Sequence, residues 1–140
     1  QRLQALGVPT SLIALLEPAR FRIPRDGAEA AILAPEPVRL ALFGNPQARR
    51  IVVTHTRPEP LLGMLRPIDT GASTRVLGYR NRGGTLNVPG MLYANGASWL
   101  HILASVAELS AEPPSRYLEP GELAALEGKV DPLPAIIAGP

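Results

Sequence analysis

RIVVTH at residues 50–55 and RVLGY at residues 75–79 decide how this chain is read. Both are short and apolar, and β-branched side chains lead the first of them, which is the composition of a strand in a half-covered sheet. Between them, Pro58 and Pro60 open a helical turn through Leu61, Leu62, Met64 and Leu65, which Pro67 ends. Strands alternating with helices predict an α/β fold of three layers built on a mostly parallel sheet with right-handed crossovers.

The N-terminal side extends that pattern. Gln1 to Leu6 reads as the last turns of a helix, with Gly7 as its C-terminal cap. VPTSLIALL at residues 8–16 is apolar and short, as expected of a further strand buried on both faces. An open α/β unit places a strand before such a helix, so the sheet is expected to lack its first strand. The chain begins at Gln1 without a methionine, as a fragment, a processed chain or a chain with further residues before it would. Glu17 to Gly27 reads as a loop, and Pro35 to Phe43 as a helix stopped by Gly44-Asn45-Pro46.

On the C-terminal side, Arg80 to Asn87 is a glycine-containing loop, and Pro89 starts a short helix that ends at Asn95-Gly96. Ser98 is placed to cap a helix over Trp99 to Leu109. There Trp99, Ile102, Leu103 and Val106 share one face, with His101, Ser105 and Glu108 opposite. That face predicts Trp99 buried against the sheet, with Trp99→Ala costing about 3–5 kcal/mol. Residues 111–140 are rich in proline and are expected to wrap or dangle outside the core, with a helix only over Glu119 to Glu127. The division is thus an α/β domain over residues 1–110 and a tail over residues 111–140.

Composition removes several classes of function. The 140 residues contain no cysteine, so disulfides, thiolate metal sites and thiol nucleophiles are excluded, in keeping with a cytoplasmic protein. No apolar run approaches the roughly 20 residues of a membrane helix. Charge is uneven: residues 49–82 hold seven arginines against Glu59 and Asp69, a balance of +5, whereas residues 83–140 carry a balance of −4. Arginine-rich coding alone produces such a bias; so does a surface that meets anions, since the guanidinium fork suits phosphate and carboxylate.

Sites of complete chemistry are absent from the pattern. His55 and His101 are far apart and neither has a second ligand one helical turn away, so no metal site is expected. No G-x-S-x-G elbow occurs. Arg82-Gly83-Gly84-Thr85 follows a strand but lacks the spacing and lysine of a phosphate-binding loop. The RNRGG stretch at residues 80–84 stands as one RGG copy with few aromatics to stack on bases, so nucleic acid is not the expected partner. Position says more. His55 and Arg57 follow one strand, and Tyr79, Arg80 and Arg82 finish or follow another. In a parallel sheet these five converge at the carboxyl edge, where α/β sheets bind ligands and partners. They equally suit an edge where Tyr79 and His55 pack under loops and the arginines are solvated.

These segments resemble the C-terminal domain of phosphoketolases, thiamine diphosphate-dependent enzymes related to transketolase. His55-Thr56-Arg57-Pro58 is similar to that family's His-Gly-Tyr-Pro-like stretch after a strand. Gly78-Tyr79-Arg80, the glycine-threonine loop to Thr85, then Pro89, Met91 and Asn95 follow the family's order, and the helix with His101 completes it. The match covers about residues 38–109, with Leu3 to Leu16 a looser fit. Asn81 stands where the family has an acidic residue, Asn87-Val88-Pro89 where it has Thr-Thr-Pro, and Trp99 where it has an arginine.

The resemblance implies a third, non-catalytic domain that serves assembly or effector binding. The parent enzyme would cleave ketose phosphates with phosphate to acetyl phosphate and an aldose phosphate. Its thiamine diphosphate and magnesium would sit between two other domains on a Gly-Asp-Gly motif; here Asp26-Gly27 follows Arg25 instead. The chain alone is then expected to be inactive, to bind no cofactor or metal, and to have other domains or subunits of a homo-oligomer as partners. It should expose apolar surface and self-associate when isolated. Two other readings stand beside this one: an independent regulatory or scaffold module binding an acidic partner, and an RNA binder.

Overall fold

The computed structural model describes residues 1–69, 74–81 and 84–140. Its helices are α1 (Arg2–Ala5), α2 (Gly27–Ile32), α3 (Glu36–Phe43), α4 (Pro58–Leu65), α5 (Val88–Ala94), α6 (Trp99–Ser110), α7 (Pro120–Leu126) and α8 (Leu133–Ala138). The strands are β1 (Arg50–Val53) and β2 (Thr74–Leu77), and 3-10 turns occupy Pro18–Phe21, Arg66–Ile68 and Pro114–Arg116. The protein is mixed α/β, with a two-stranded sheet among the described residues.

The strands are parallel, with Arg50 opposite Thr74 and Val53 opposite Leu77. The ladder runs on past both strands: Thr54 N–H donates to the Leu77 carbonyl at 2.9 Å, and Tyr79 N–H to the Thr56 carbonyl at 3.0 Å. Side chains alternate across a strand, so Val52 and Val76 share one face and Arg75 and Leu77 the other. Val52 and Val76 pack on the cluster of Leu61, Leu65 and Ile68, together with Phe21 and Phe43, whose rings meet edge to face. Arg75 reaches Glu108 on α6 from the opposite face. Helix α4 and helix α6 therefore cover opposite faces of the small sheet.

The expected strand over residues 8–16 does not form. Those residues make no sheet pairing, and Leu12 and Leu16 are 99% and 92% exposed. Without a partner strand an apolar run gains nothing by becoming extended ladder. The preceding cap is as expected: Gly7 has φ +71°, and Val8 N–H returns to the Leu3 carbonyl at 2.9 Å. Helix α3 also matches its expected span, but Val38, Leu40 and Leu42 all lie exposed on it.

The larger core lies elsewhere, between α6 and the C-terminal segment. Leu100, Leu103 and Ala107 of α6 are buried with Tyr117, Leu118, Ala125 and Ile136. The expectation that residues 111–140 stay outside the core is thus wrong. Pro120 and Pro134 sit in the first turns of α7 and α8, where a missing N–H costs nothing, and so start helices instead of preventing them. Helix α7 falls within the expected Glu119 to Glu127 and is closed by a capping box between Glu119 and Glu122; α8 was not expected.

Trp99 also departs from its expected burial. It is half-buried, not sealed against the sheet: its indole N–H donates to the Ile136 carbonyl at 3.2 Å, and the Arg2 guanidinium lies 5.1 Å from its ring centroid. Arg2 is held there by Glu122 at 2.5 Å. The deepest stripe of α6 runs through Leu100, Leu103 and Ala107, one position further round than the Trp99–Ile102–Val106 face.

Candidate functional site

Parallel strands bring the residues after β1 and β2 to one edge. His55 and Arg57 leave β1, Tyr79 and Arg80 leave β2, and all four are exposed. The edge is drawn tight by Gly78. A Cβ there would lie 2.6 Å from the Thr56 carbonyl oxygen and 2.7 Å from Thr54 Cγ2, so only glycine lets the two loops approach this closely. Thr54 and Thr56 hydroxyls meet at 3.0 Å, bracing the turn that presents His55.

The side chains at the edge divide by partner. Tyr79 O–H donates to Asn81 Oδ1 at 2.8 Å, and Asn81 takes φ +55°, a left-handed conformation that asparagine tolerates. Tyr79 thus orients its own loop. Arg80 N–H donates to Oδ1 of the buried Asn95 at 2.7 Å, while Asn95 Nδ2 donates to the Met91 carbonyl at 2.9 Å. The guanidinium groups of Arg57 and Arg80 make no ion pair or hydrogen bond with the described residues. Arg82 lies outside the described residues, as does Gly83 of the proposed glycine loop.

The other arginines of the basic stretch do different work. Arg50 donates to the carbonyls of Phe43 and Asn45 at 2.9 Å each, tying the end of α3 to β1. Arg75 is paired with Glu108. Part of the +5 balance is therefore structural; of the arginines left without a partner among the described residues, Arg57 and Arg80 lie where the chain leaves the sheet, and Arg49 and Arg66 lie elsewhere.

Two depressions flank this edge. One, of about 250 Å³, is bordered by Thr54, His55 and Tyr79 and floored by Leu86, Met91 and Leu92. The other, of about 390 Å³, lies between β2 and α6, with Arg75, Arg80, His101, Ser105 and Glu108 on its walls. The sequence pattern put His101, Ser105 and Glu108 together on one helical face, which is correct. It did not reveal that this polar face turns toward β2 and meets Arg80. A signal was present in the Arg75–Glu108 charge complementarity, but only the packing of α6 on the sheet gives it meaning.

Burial pushes the His101 imidazole below its ordinary pKa, and the Arg80 charge pushes it the same way. Its Nδ1 lies 2.8 Å from Ser98 Oγ, and its ring lies 5.2 Å from that of Tyr93. Ser98 occupies the expected cap position of α6, yet its hydroxyl serves His101 and not the helix amides.

Asp26 beside Gly27 is spent as the cap of α2, accepting from Glu29 N–H at 2.8 Å. Among the described residues no three His, Asp or Glu side chains cluster in a way that could hold a metal ion. Among the described residues no helix is long and apolar enough to cross a membrane. No family model matches the sequence, and neither a curated protein nor a solved structure is found to be similar to it.

Proposed function

We propose that this chain is a non-catalytic assembly or regulatory module of a larger enzyme, phosphoketolase-like in kind, whose other domains carry the thiamine diphosphate chemistry. In this reading the parent enzyme cleaves ketose phosphates with phosphate to acetyl phosphate and an aldose phosphate in the cytoplasm. The carboxyl edge with His55, Arg57, Tyr79, Arg80 and Arg82 receives an acidic neighbouring domain or an anion. The observation that carries the docking part is the pair of guanidiniums, Arg57 and Arg80, that have no partner among the described residues and follow adjacent parallel strands. The phosphoketolase part rests on the residue pattern His55–Pro58 and Gly78–Asn95 alone. Exposed leucine, isoleucine and valine along Leu12, Leu16, Ile23, Ile32, Val38 and Leu40 supports a module that is covered in its working state, by other domains or a second copy.

The same surface suits an independent scaffold module that binds an acidic partner. The coding region separates the two: an upstream stretch in the same reading frame that encodes a Gly-Asp-Gly cofactor motif supports the enzyme, and a free-standing gene supports the scaffold. Within the parent enzyme, Arg57→Ala and Arg80→Ala should weaken domain docking, read as earlier domain release in a denaturant titration, while thiamine diphosphate still binds. Unchanged docking in both variants removes the proposed surface.

A further inference from the structure

The groove between β2 and α6 contains donors that no described residue consumes. Arg75 is neutralised by Glu108, through Nε at 3.2 Å and through its terminal nitrogen. Arg80 is left as the uncompensated cation of the groove, and the Ser105 hydroxyl, on a buried residue of the same wall, has no partner among the described residues. Leu77 and Ala104 supply apolar side chains to the remainder of its lining.

The tautomer of His101 follows from Ser98. Ser98 is 2% exposed, and its hydroxyl must donate to something. Among the described residues the contact its side chain makes is with His101 Nδ1, and it gives no cap bond to α6. The hydroxyl therefore donates to Nδ1, which fixes the remaining imidazole proton on Nε2. The Cδ2–Nε2 edge of the ring lies beside Gly96 on the groove wall, where an added Cβ would be 3.8 Å from Cδ2. A neutral imidazole protonated at Nε2, on a residue that lines the groove, offers a hydrogen-bond donor at that atom, not a base.

We infer that this groove binds a small oxyanion, a phosphate or a carboxylate, between the Arg80 guanidinium and His101 Nε2–H, with the Ser105 hydroxyl as third donor. A cation with N–H and O–H donors on the walls of one groove matches a tetrahedral or planar oxyanion, and the apolar wall leaves room for a short carbon body. The charged and titratable groups facing His101 across the groove are Arg75, Arg80 and Glu108; with Arg75 and Glu108 paired, a bound anion would sit against a net positive charge. The site extends the docking surface described above and shares only Arg80 with it.

Nuclear magnetic resonance of the His101 ring nitrogens in the whole chain tests the inference, titrating inorganic phosphate or acetate against chloride at constant ionic strength. Saturable movement of the His101 signals, with its pKa raised on binding, is the expected result. Arg80→Ala should weaken binding about tenfold or more, the usual cost of losing a charged hydrogen bond. Ser105→Ala should weaken it less, and because Ser105 lies outside the docking surface, its effect separates this site from that one. Saturation by phosphate alone assigns a phosphate ligand; saturation by both anions extends the site to carboxylates. An absence of saturation by either anion, or equal shifts in wild type and Arg80→Ala, overturns the inference.

Discussion

The backbone N–H of Arg80 is held at 2.7 Å by the side-chain oxygen of Asn95, a residue buried at the end of α5. That one bond fixes the loop leaving β2 against the helix that follows it, and so aims both the docking edge and the groove. Asn95→Ala leaves the Arg80 N–H without its acceptor and removes the bond to the Met91 carbonyl. Urea unfolding should show a loss of about 1–3 kcal/mol, the cost of stranding buried polar groups. A loss within a few tenths would mean the loop is held by something else.

Gly78 sets the spacing of the same edge. An alanine methyl would press on the Thr56 carbonyl oxygen, which is backbone and cannot rotate away. Gly78→Ala should destabilise by about 1–3 kcal/mol, as overpacking does. It should also shift the amide resonances of Thr56 and Tyr79, whose mutual hydrogen bond spans 3.0 Å. Unmoved amides with full stability would show that the loops can part without cost.

The C-terminal segment is a structural part of the core. Leu118 is 3% exposed among Leu100, Leu103 and Tyr117, so Leu118→Ala should cost about 2–5 kcal/mol in chemical denaturation. Trp99, the single tryptophan, reports on the same contact through its bond to the Ile136 carbonyl. Removing residues 130–140 should shift its emission to the red as the indole loses that neighbour. Because Trp99 is half-buried, Trp99→Ala should cost less than the 3–5 kcal/mol of a fully buried aromatic. Emission unchanged by the truncation would place the indole elsewhere.

How far the sequence reveals the fold depends on how local each signal is. RIVVTH and RVLGY are legible because β-branched runs flanked by proline and glycine have few alternatives, and the helix between them makes parallel pairing the economical solution. VPTSLIALL misleads because apolarity marks what could be buried, not whether a partner strand is present. The tail misleads for the opposite reason: proline is read as a breaker, yet at Pro120 and Pro134 it occupies the first turn of a helix. His55, Arg57, Tyr79 and Arg80 could be placed on one edge from strand order alone. The groove could not, because it depends on which side of α6 meets β2, and that is a matter of long-range packing.

Acid stability provides the last test, at a site remote from the edge. Glu29 is the buried residue of α2, 6% exposed on a helix whose other side chains face solvent or nearly so. Its carboxylate accepts from the Arg25 side chain at 3.0 Å and from the Arg25 amide at 2.6 Å, and pairs closely with Arg22. Hydrogen bonds from the Arg25 side chain first, then from Arg22 and the Arg25 backbone, hold its pKa down at about 2 against an ordinary 4.5. A depressed folded-state pKa means the ionised form is the stabilising one. The contribution is complete above the ordinary value and is lost as pH falls from 4.5 toward about 2. Glu29→Gln should therefore be less stable than wild type near neutrality, and the gap should close across that window. Amide exchange at Ala30, whose N–H donates to the Asp26 carbonyl at 3.0 Å, reads the same change locally on α2. A gap as large at pH 2 as at pH 7 would show that shape, not charge, is what Glu29 supplies.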